Sequence, residues 1–253
     1  SNSLAYGVGS TEYANLIHNQ FAFVNVPESI RFELIGELDP GCTAKDVILH
    51  ILWRFAAESE TLDMSMEFGG EGLASLSMDE RATLCNMATE CSAKTGICEA
   101  DEITVDWLIS RREDLDAASI RRDFVLPDFG AVYGGGVHEI DLSQIRPMVA
   151  HPGSPDEGIP SDPTNGAYID DIGDVAIDIA YAGSCTAGKD DDFSYYAMVC
   201  EAALDAGLVV SDGVVCYIQF GSKSVKELSM TMGWTETFER VGVKLIDPGC
   251  GAC

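Results

Sequence analysis

The chain has 253 residues, 46% of them hydrophobic, which excludes a disordered or collagen-like polypeptide and leaves room for one large domain or two ordinary ones. Its 42 acidic and 15 basic side chains give a formal charge of −27, which argues against nucleic acid as a general partner. The nine cysteines include several in apolar runs, such as Cys216 in VVCYIQF; the odd number and these settings suit reduced thiols and a cytoplasmic compartment better than a disulfide framework.

Ser10 and Thr11 open a predicted helix, TEYANLIHNQ. SIRFELIGEL alternates, with Ile30, Phe32 and Leu34 on one side, and reads as a strand. After the turn DPGC, Thr43 caps a helix over TAKDVILHILWRF. DMSMEF, residues 63–68, reads as a strand closed by Gly69 and Gly70. SMDERATLCNMATECSAK, residues 77–94, is the clearest helical pattern, opened by the capping box of Ser77 and Glu80. TGICEA is predicted as a strand, ITVDWLISRR as a helix and VHEIDL as a short strand. Residues 151–166 hold four prolines and three glycines, the composition of a linker. Beyond it a βαβαβ pattern runs through DVAIDIAYAGS, DDFSYYAMVCEAALDAG, VVCYIQFGS, SVKELSMTMGWTETFERVG and KLIDPGC. Strands alternating with helices predict an α/β fold with mostly parallel sheets covered on both faces. No apolar run approaches the roughly eighteen residues of a membrane span, and no signal-peptide pattern opens the sequence.

In a parallel sheet the loops that follow the strands share one edge, where ligands usually bind. Cys185 in AGSCTAGK directly follows a strand, and Cys250 and Cys253 lie in PGCGAC after the last one. Three thiolates from such loops suit an iron–sulfur cluster, leaving one iron open to act as a Lewis acid. Spacing alone also allows zinc ligation, a redox dithiol or unrelated thiols. Asn86 and Glu90 are four apart in the predicted helix and would share a face; an ordinary solvated face is the commoner fate of such a pair. The run KDDDF at 189–193 is expected to cap the helix after Cys185. The four histidines show no metal spacing, and Cys42, Cys85, Cys91, Cys98, Cys200 and Cys216 read as core or near-core thiols.

GSCT followed by CGAC resembles the GSCTN and cysteine-rich motifs of the aconitase and isopropylmalate dehydratase large-subunit family. LAYGVGSTE, IGELDPGCTAKDVILHIL, EFGGEGLASLSMDERATLCNMATECSAKTGICEADE and VCYIQFGSKSVKE resemble further family segments in the same order. KDVILHIL and SMDERATLCNM look closer to the isopropylmalate and homoaconitate branch. The resemblance implies three-layer α/β/α domains: a remnant of an N-terminal domain at 1–38, a middle domain at 39–150, and a cluster-binding domain at 167–253 reached through the linker 151–166. It implies Cys185, Cys250 and Cys253 as ligands of a 4Fe–4S cluster. It implies that Asn86 and Glu90 hydrogen-bond the hydroxyl or water on the exposed iron. The implied activity is that of a hydro-lyase isomerising a 2-hydroxy di- or tricarboxylate, such as isopropylmalate, homocitrate or citrate. A swivel domain or small subunit is the implied partner, and nucleic acid and membrane are not expected partners.

The sequence departs from the family pattern at Ala187, where the family usually has Asn after GSCT. The family's D-S-H-T motif and its later substrate-binding arginines are also not in this stretch, so it reads as an internal piece, expected to be inactive alone and to hold no cluster. The alternatives are a non-catalytic binding protein on the same scaffold and a structural domain with a zinc or empty three-cysteine site.

Overall fold

Period-two alternation decides the first sheet. β1 (Ala5–Tyr6) and α1 (Ser10–Asn19) precede β2 (Ser29–Ile35), whose Ile30, Phe32 and Leu34 are fully buried. The computed structural model describes residues 5–6, 8–56, 58–154, 156 and 165–251, and the chain divides into two units, Ser1–Ile172 and Gly173–Cys253. In the first unit β2 is followed by α2 (Ala44–Ile51), β3 (Ser65–Gly69), α3 (Met78–Asn86), β4 (Thr95–Cys98), α4 (Glu102–Arg111), α5 (Ala117–Arg122) and β5 (Val137–Asp141). The strands form one sheet in the order β1-β4-β3-β2-β5, parallel except for β1. β2 therefore sits inside the same sheet as β3, β4 and β5. The expected remnant at 1–38 and middle domain at 39–150 share this sheet, because β2 hydrogen-bonds to strands on both sides.

The helices start where the side chains cap them. Thr43 accepts from the Lys45 amide, and the Asp46 carboxylate accepts from the Thr43 amide, 2.9 Å. Ser77 and Glu80 form the same reciprocal pair at α3, as the sequence predicts. The step β2–α2–β3–α3–β4 moves one way across the sheet. Right-handed crossovers then place α2 and α3 on one face. There Val47, Ile48, Ile51, Leu84, Met66 and Phe68 join Ile30, Phe32 and Leu34 in the core. Phe32 stacks on Phe68 at 5.7 Å and meets the edge of Phe55 at 5.2 Å. The opposite face of β2 carries Arg31, held between Glu33 and Glu99 at 2.7 Å each. A Cβ added at Gly69 would lie 2.2 Å from its guanidinium, so only glycine leaves room for this ion pair.

The helix predicted over 77–94 ends at Asn86. Residues 87–92 continue as turns that bury Met87, Ala88 and Cys91 before Ala93 and Thr95 lead into β4. Ser92 adopts a left-handed φ of 59°, and its carbonyl accepts from the Asp63 amide, 3.0 Å. A straight helix could not make that connection.

The expected linker does not join the two units. β6 (Met148–Ala150) and β7 (Gly166–Tyr168) flank residues 151–165 and pair antiparallel, both inside the first unit. The Met148 amide donates to Asp46, 2.8 Å, and Tyr168 meets Trp53 edge-on at 5.6 Å. The unit boundary falls after Ile172 instead.

The second unit holds β8 (Ile179–Gly183), α6 (Ser184–Ala187), α7 (Asp190–Asp205), β9 (Val215–Gln219), α8 (Lys223–Thr231), α9 (Trp234–Val241) and β10 (Val243–Ile246). Its sheet has the order β10-β9-β8 and is parallel throughout. Both crossovers step in the same direction, so their helices share one face. On that face Phe193 stacks on Phe220 at 4.9 Å and packs against Phe238 at 5.8 Å. The other face, predicted to be covered as well, carries Tyr181, Tyr217, Gln219 and Lys244. The single helix predicted over 224–242 is broken in two by Gly233, at φ 77°. Among the described residues no helix is long and apolar enough to cross a membrane.

Arg81 is fully buried in α3 and joins three elements. It donates to the carbonyls of Leu73 and Leu76, 2.8 and 3.1 Å, and grips both oxygens of Asp101, which caps α4. Burial alone would raise the Asp101 carboxyl; hydrogen bonds and charge from Arg81 outweigh it and hold it below the ordinary range. A depressed folded pKa stabilises the fold above the unfolded value and loses that contribution as pH falls through the folded one. Arg81→Met should therefore cost roughly 3 kcal/mol in urea unfolding, since it takes the charged partner from Asp101 and a donor from the Leu73 and Leu76 carbonyls. The wild-type advantage over this variant should shrink below about pH 4.

Candidate functional site

β8 ends in an unusual turn. Gly183 has φ 102°, and a Cβ there would lie 2.0 Å from the Gln219 carbonyl oxygen. Ser184 follows with φ 69°, a left-handed conformation that costs a non-glycine residue on the order of 1–3 kcal/mol. Its side chain is buried, and its Oγ has no hydrogen-bond partner among the described residues. Both costs fall on one residue, and their result is that Cys185, the next residue, stands exposed at the strand end. The chain then closes tightly through Gly188, whose carbonyl accepts from the Gly221 amide, 2.9 Å. The expected cap at 189–193 forms: Asp192 accepts from the Lys189 amide, 3.0 Å, and pairs with the Lys189 ammonium, 2.9 Å.

Register carries this turn to the second cysteine. Gly183, Gln219 and Ile246 are direct partners across the three strands. Gln219, 5% exposed, ends the central strand. It accepts from the Tyr181 hydroxyl and donates to the Asp247 carbonyl, 3.0 Å. Gly251, at φ 62°, packs so closely that an added Cβ would lie 1.8 Å from Gln219 Oε1. The segment 247–251 is thereby folded against Gln219, with Cys250 exposed. Cys185 and Cys250 thus follow the two strands that flank β9. The third predicted ligand, Cys253, lies outside the described residues. Among the described residues no group of three or more His, Cys, Asp or Glu is arranged to hold a metal ion.

The remaining cysteines differ in character. Cys85, Cys91 and Cys98 are buried, and Cys42, Cys200 and Cys216 half-buried, as the core reading expects. Burial pushes the Cys91 thiol up to about 12 and also raises Cys42, Cys200 and Cys216. Burial and the Arg54 charge lower His50, and His138 contacts the Gly135 carbonyl at 2.9 Å between Phe32 and Phe55.

Asn86 and Glu90 belong to the first unit. Asn86 is the last residue of α3 and is half-buried; Glu90 is exposed in the turns beyond it. They remain four apart, across a single hydrogen-bonded turn in which the Cys91 amide donates to the Met87 carbonyl, 3.3 Å. Ser184, Tyr181 and Gln219 were not visible as site residues in the sequence. A serine between a strand-ending glycine and a cysteine was the available signal for the first; the other two had none.

The sequence matches the aconitase family (aconitate hydratase) over residues 2–253. The chain belongs to the aconitase family. It is 36% identical over 249 residues to the 3-isopropylmalate dehydratase large subunit of Helicobacter hepaticus, covering 98% of this chain and 54% of that protein. The subunit from Clostridium kluyveri gives the same identity and coverage. Large subunit 1 from Methanopyrus kandleri is 32% identical over 251 residues, covering 99% and 55%. The aconitase-family chain thus spans about half the length of the curated relatives it matches. Among solved structures, aconitase X of Thermococcus kodakaraensis in its holo-form aligns with 89% of this chain and 45% of its own, at 14% identity and a TM-score of 0.44.

The exposures predict a labelling order. Under native conditions iodoacetamide should modify Cys185 and Cys250 well before Cys91 and Cys98, read by peptide mass spectrometry over time. Gln219→Leu removes the anchor of 247–251. It should speed Cys250 labelling severalfold while Cys91 stays protected; equal acceleration at both would mean general unfolding.

Proposed function

We propose that this chain is part of the large subunit of a hydro-lyase that removes water from a 2-hydroxy di- or tricarboxylate and returns it at the neighbouring carbon. Isopropylmalate is the substrate favoured by the names of the relatives. The observation that carries the reading is the pair of exposed cysteines after the strands flanking β9, in a chain matched to this family along its length. The donor set fits an iron–sulfur cluster: soft thiol ligands on glycine-bounded turns, with Cys253 two residues beyond Gly251 as the third.

In this proposal Cys185, Cys250 and Cys253 hold a 4Fe–4S cluster. When bound, the cluster supplies one iron without a thiolate, a Lewis acid for the substrate's hydroxyl. The strained Gly183–Ser184 turn keeps Cys185 exposed at the strand end, and Gln219 holds the loop of Cys250. The Asn86 amide orients the hydroxyl, and the Glu90 carboxyl gives or takes its proton. The chain's charge of −27 offers little attraction to a di- or tricarboxylate. A small subunit supplying basic side chains is the proposed partner, and the cytoplasm the proposed compartment.

Anaerobic reconstitution with ferrous iron and sulfide tests the cluster. The whole large subunit, of which this chain is proposed to be a part, should take up about four iron and four sulfide, and Cys185→Ala, Cys250→Ala and Cys253→Ala should each lose most of both. Zinc uptake without sulfide would overturn the reading. In the enzyme assembled with its small subunit, Glu90→Gln should lower turnover by roughly 10²–10⁴-fold at unchanged iron content. Near-normal turnover would make Glu90 an ordinary surface carboxylate.

A further inference from the structure

Cys85 and Cys98 form a thiol pair that the proposed chemistry does not use. Cys85 lies one residue before the end of α3, and Cys98 ends β4. Their sulfurs are 3.6 Å apart inside the core of the first unit. Cys98 is fully buried, while Cys85 retains 7% exposure. The Cys98 sulfur also lies 3.8 Å from the Arg81 carbonyl oxygen.

The backbones around them are unusually close. A Cβ added at Gly96 would lie 2.8 Å from the Cys85 Cα and 3.0 Å from its carbonyl oxygen. α3 therefore rests directly on the β4 backbone, with no side chain as a spacer. A disulfide needs its two Cα atoms within about 7 Å and its sulfurs at about 2.05 Å. From 3.6 Å the sulfurs must approach by roughly 1.5 Å to bond.

We propose that Cys85 and Cys98 are a redox-responsive pair, converted by hydrogen peroxide into an internal disulfide that ties α3 to β4. The chemistry balances in two steps. The Cys85 sulfur attacks a peroxide oxygen, the O–O bond breaks, and water leaves with one thiol proton; Cys85 becomes a sulfenic acid. The Cys98 sulfur then attacks the Cys85 sulfur, the S–O bond breaks, and a second water leaves with the Cys98 proton. The two thiols lose two electrons in total, and the peroxide gains them.

The order of attack follows from the local contacts. The thiol–thiol hydrogen bond lowers Cys85 and raises Cys98. Cys85 is also the partner with residual exposure, so the oxidant meets it first. Cys91 is different: burial raises it, with the Glu90 charge adding to the effect. Closing the bond would fix the turn of α3 that ends at Asn86. The inference does not depend on the role proposed for Asn86, nor on the cluster.

The test uses the full chain. Hydrogen peroxide is added in steps, the protein is denatured in iodoacetamide, and tryptic peptides are mapped by mass spectrometry. Peptide 82–94, which holds Cys85 and Cys91, should become joined to peptide 95–111, which holds Cys98, with the loss of two hydrogens. The link should survive in Cys91→Ala and be reversed by dithiothreitol. In Cys98→Ala it should vanish, and dimedone should trap a sulfenic acid on Cys85. Full alkylation of Cys85 and Cys98 at a peroxide dose that has oxidised Cys185 would overturn the proposal. So would a link that disappears in Cys91→Ala. If Cys98→Ala does not fold, the wild-type and Cys91→Ala maps still decide.

Discussion

Because β8, β9 and β10 run parallel and in register, Gly183, Gln219 and Ile246 end in one row, and the chain must leave all three on the same edge. That constraint organises the second unit. It brings the turn of Cys185 and the segment of Cys250 to either side of one central residue. The side chain of Gln219 then holds 247–251, while its backbone receives Gly183. The glycines at 183 and 251 are needed because a Cβ at either would overlap Gln219 or Tyr181. An interaction between one glutamine and its neighbours thus sets how both exposed thiols are presented.

The first unit meets a different problem, that of polar groups beside an apolar core. Arg81 satisfies two carbonyls of the turn before α3 and, through Asp101, the start of α4. Arg31 sits on the sheet face away from the core and is balanced by two carboxylates. Removing one partner of such a pair is costly because the other charge stays partly desolvated. These two residues show why a chain with few basic side chains spends some of them on the fold.

What the sequence made legible was local. The alternation of β2, the Thr43 cap of α2, the capping box of α3, and the βαβαβ order depend on neighbours within a few residues, and all appear in the structure. Features set by distant contacts were not legible. α3 stops at Asn86 because Met87, Ala88 and Cys91 turn into the core, a demand that helix propensity does not register. Residues 151–166 have linker composition, yet Met148 and Tyr168 are fastened to α2 and Trp53. Gly233 divides a continuous helical pattern by taking a left-handed φ. At the candidate site the cysteines announced themselves through spacing and resemblance. Ser184 and Gln219 did not, since their importance lies in a strained dihedral and in cross-strand register. Cys85 and Cys98 each read correctly as core thiols; only the fold made them a pair.

The pairing of β6 with β7 bears on how the protein would respond to a broken backbone. β6 ends at Ala150 and β7 begins at Gly166, and the two strands are hydrogen-bonded neighbours within the first unit. A protease cut between those residues would sever the polypeptide without separating β6 from β7. The C-terminal product would still begin with a strand seated against Met148 and Trp53, and so would carry the second unit with it. A nicked protein of this kind migrates as two bands in denaturing gels and as one particle in solution. The same geometry makes this stretch a natural place to divide the gene for fragment complementation, because β7 supplies the returning half with an address on its partner.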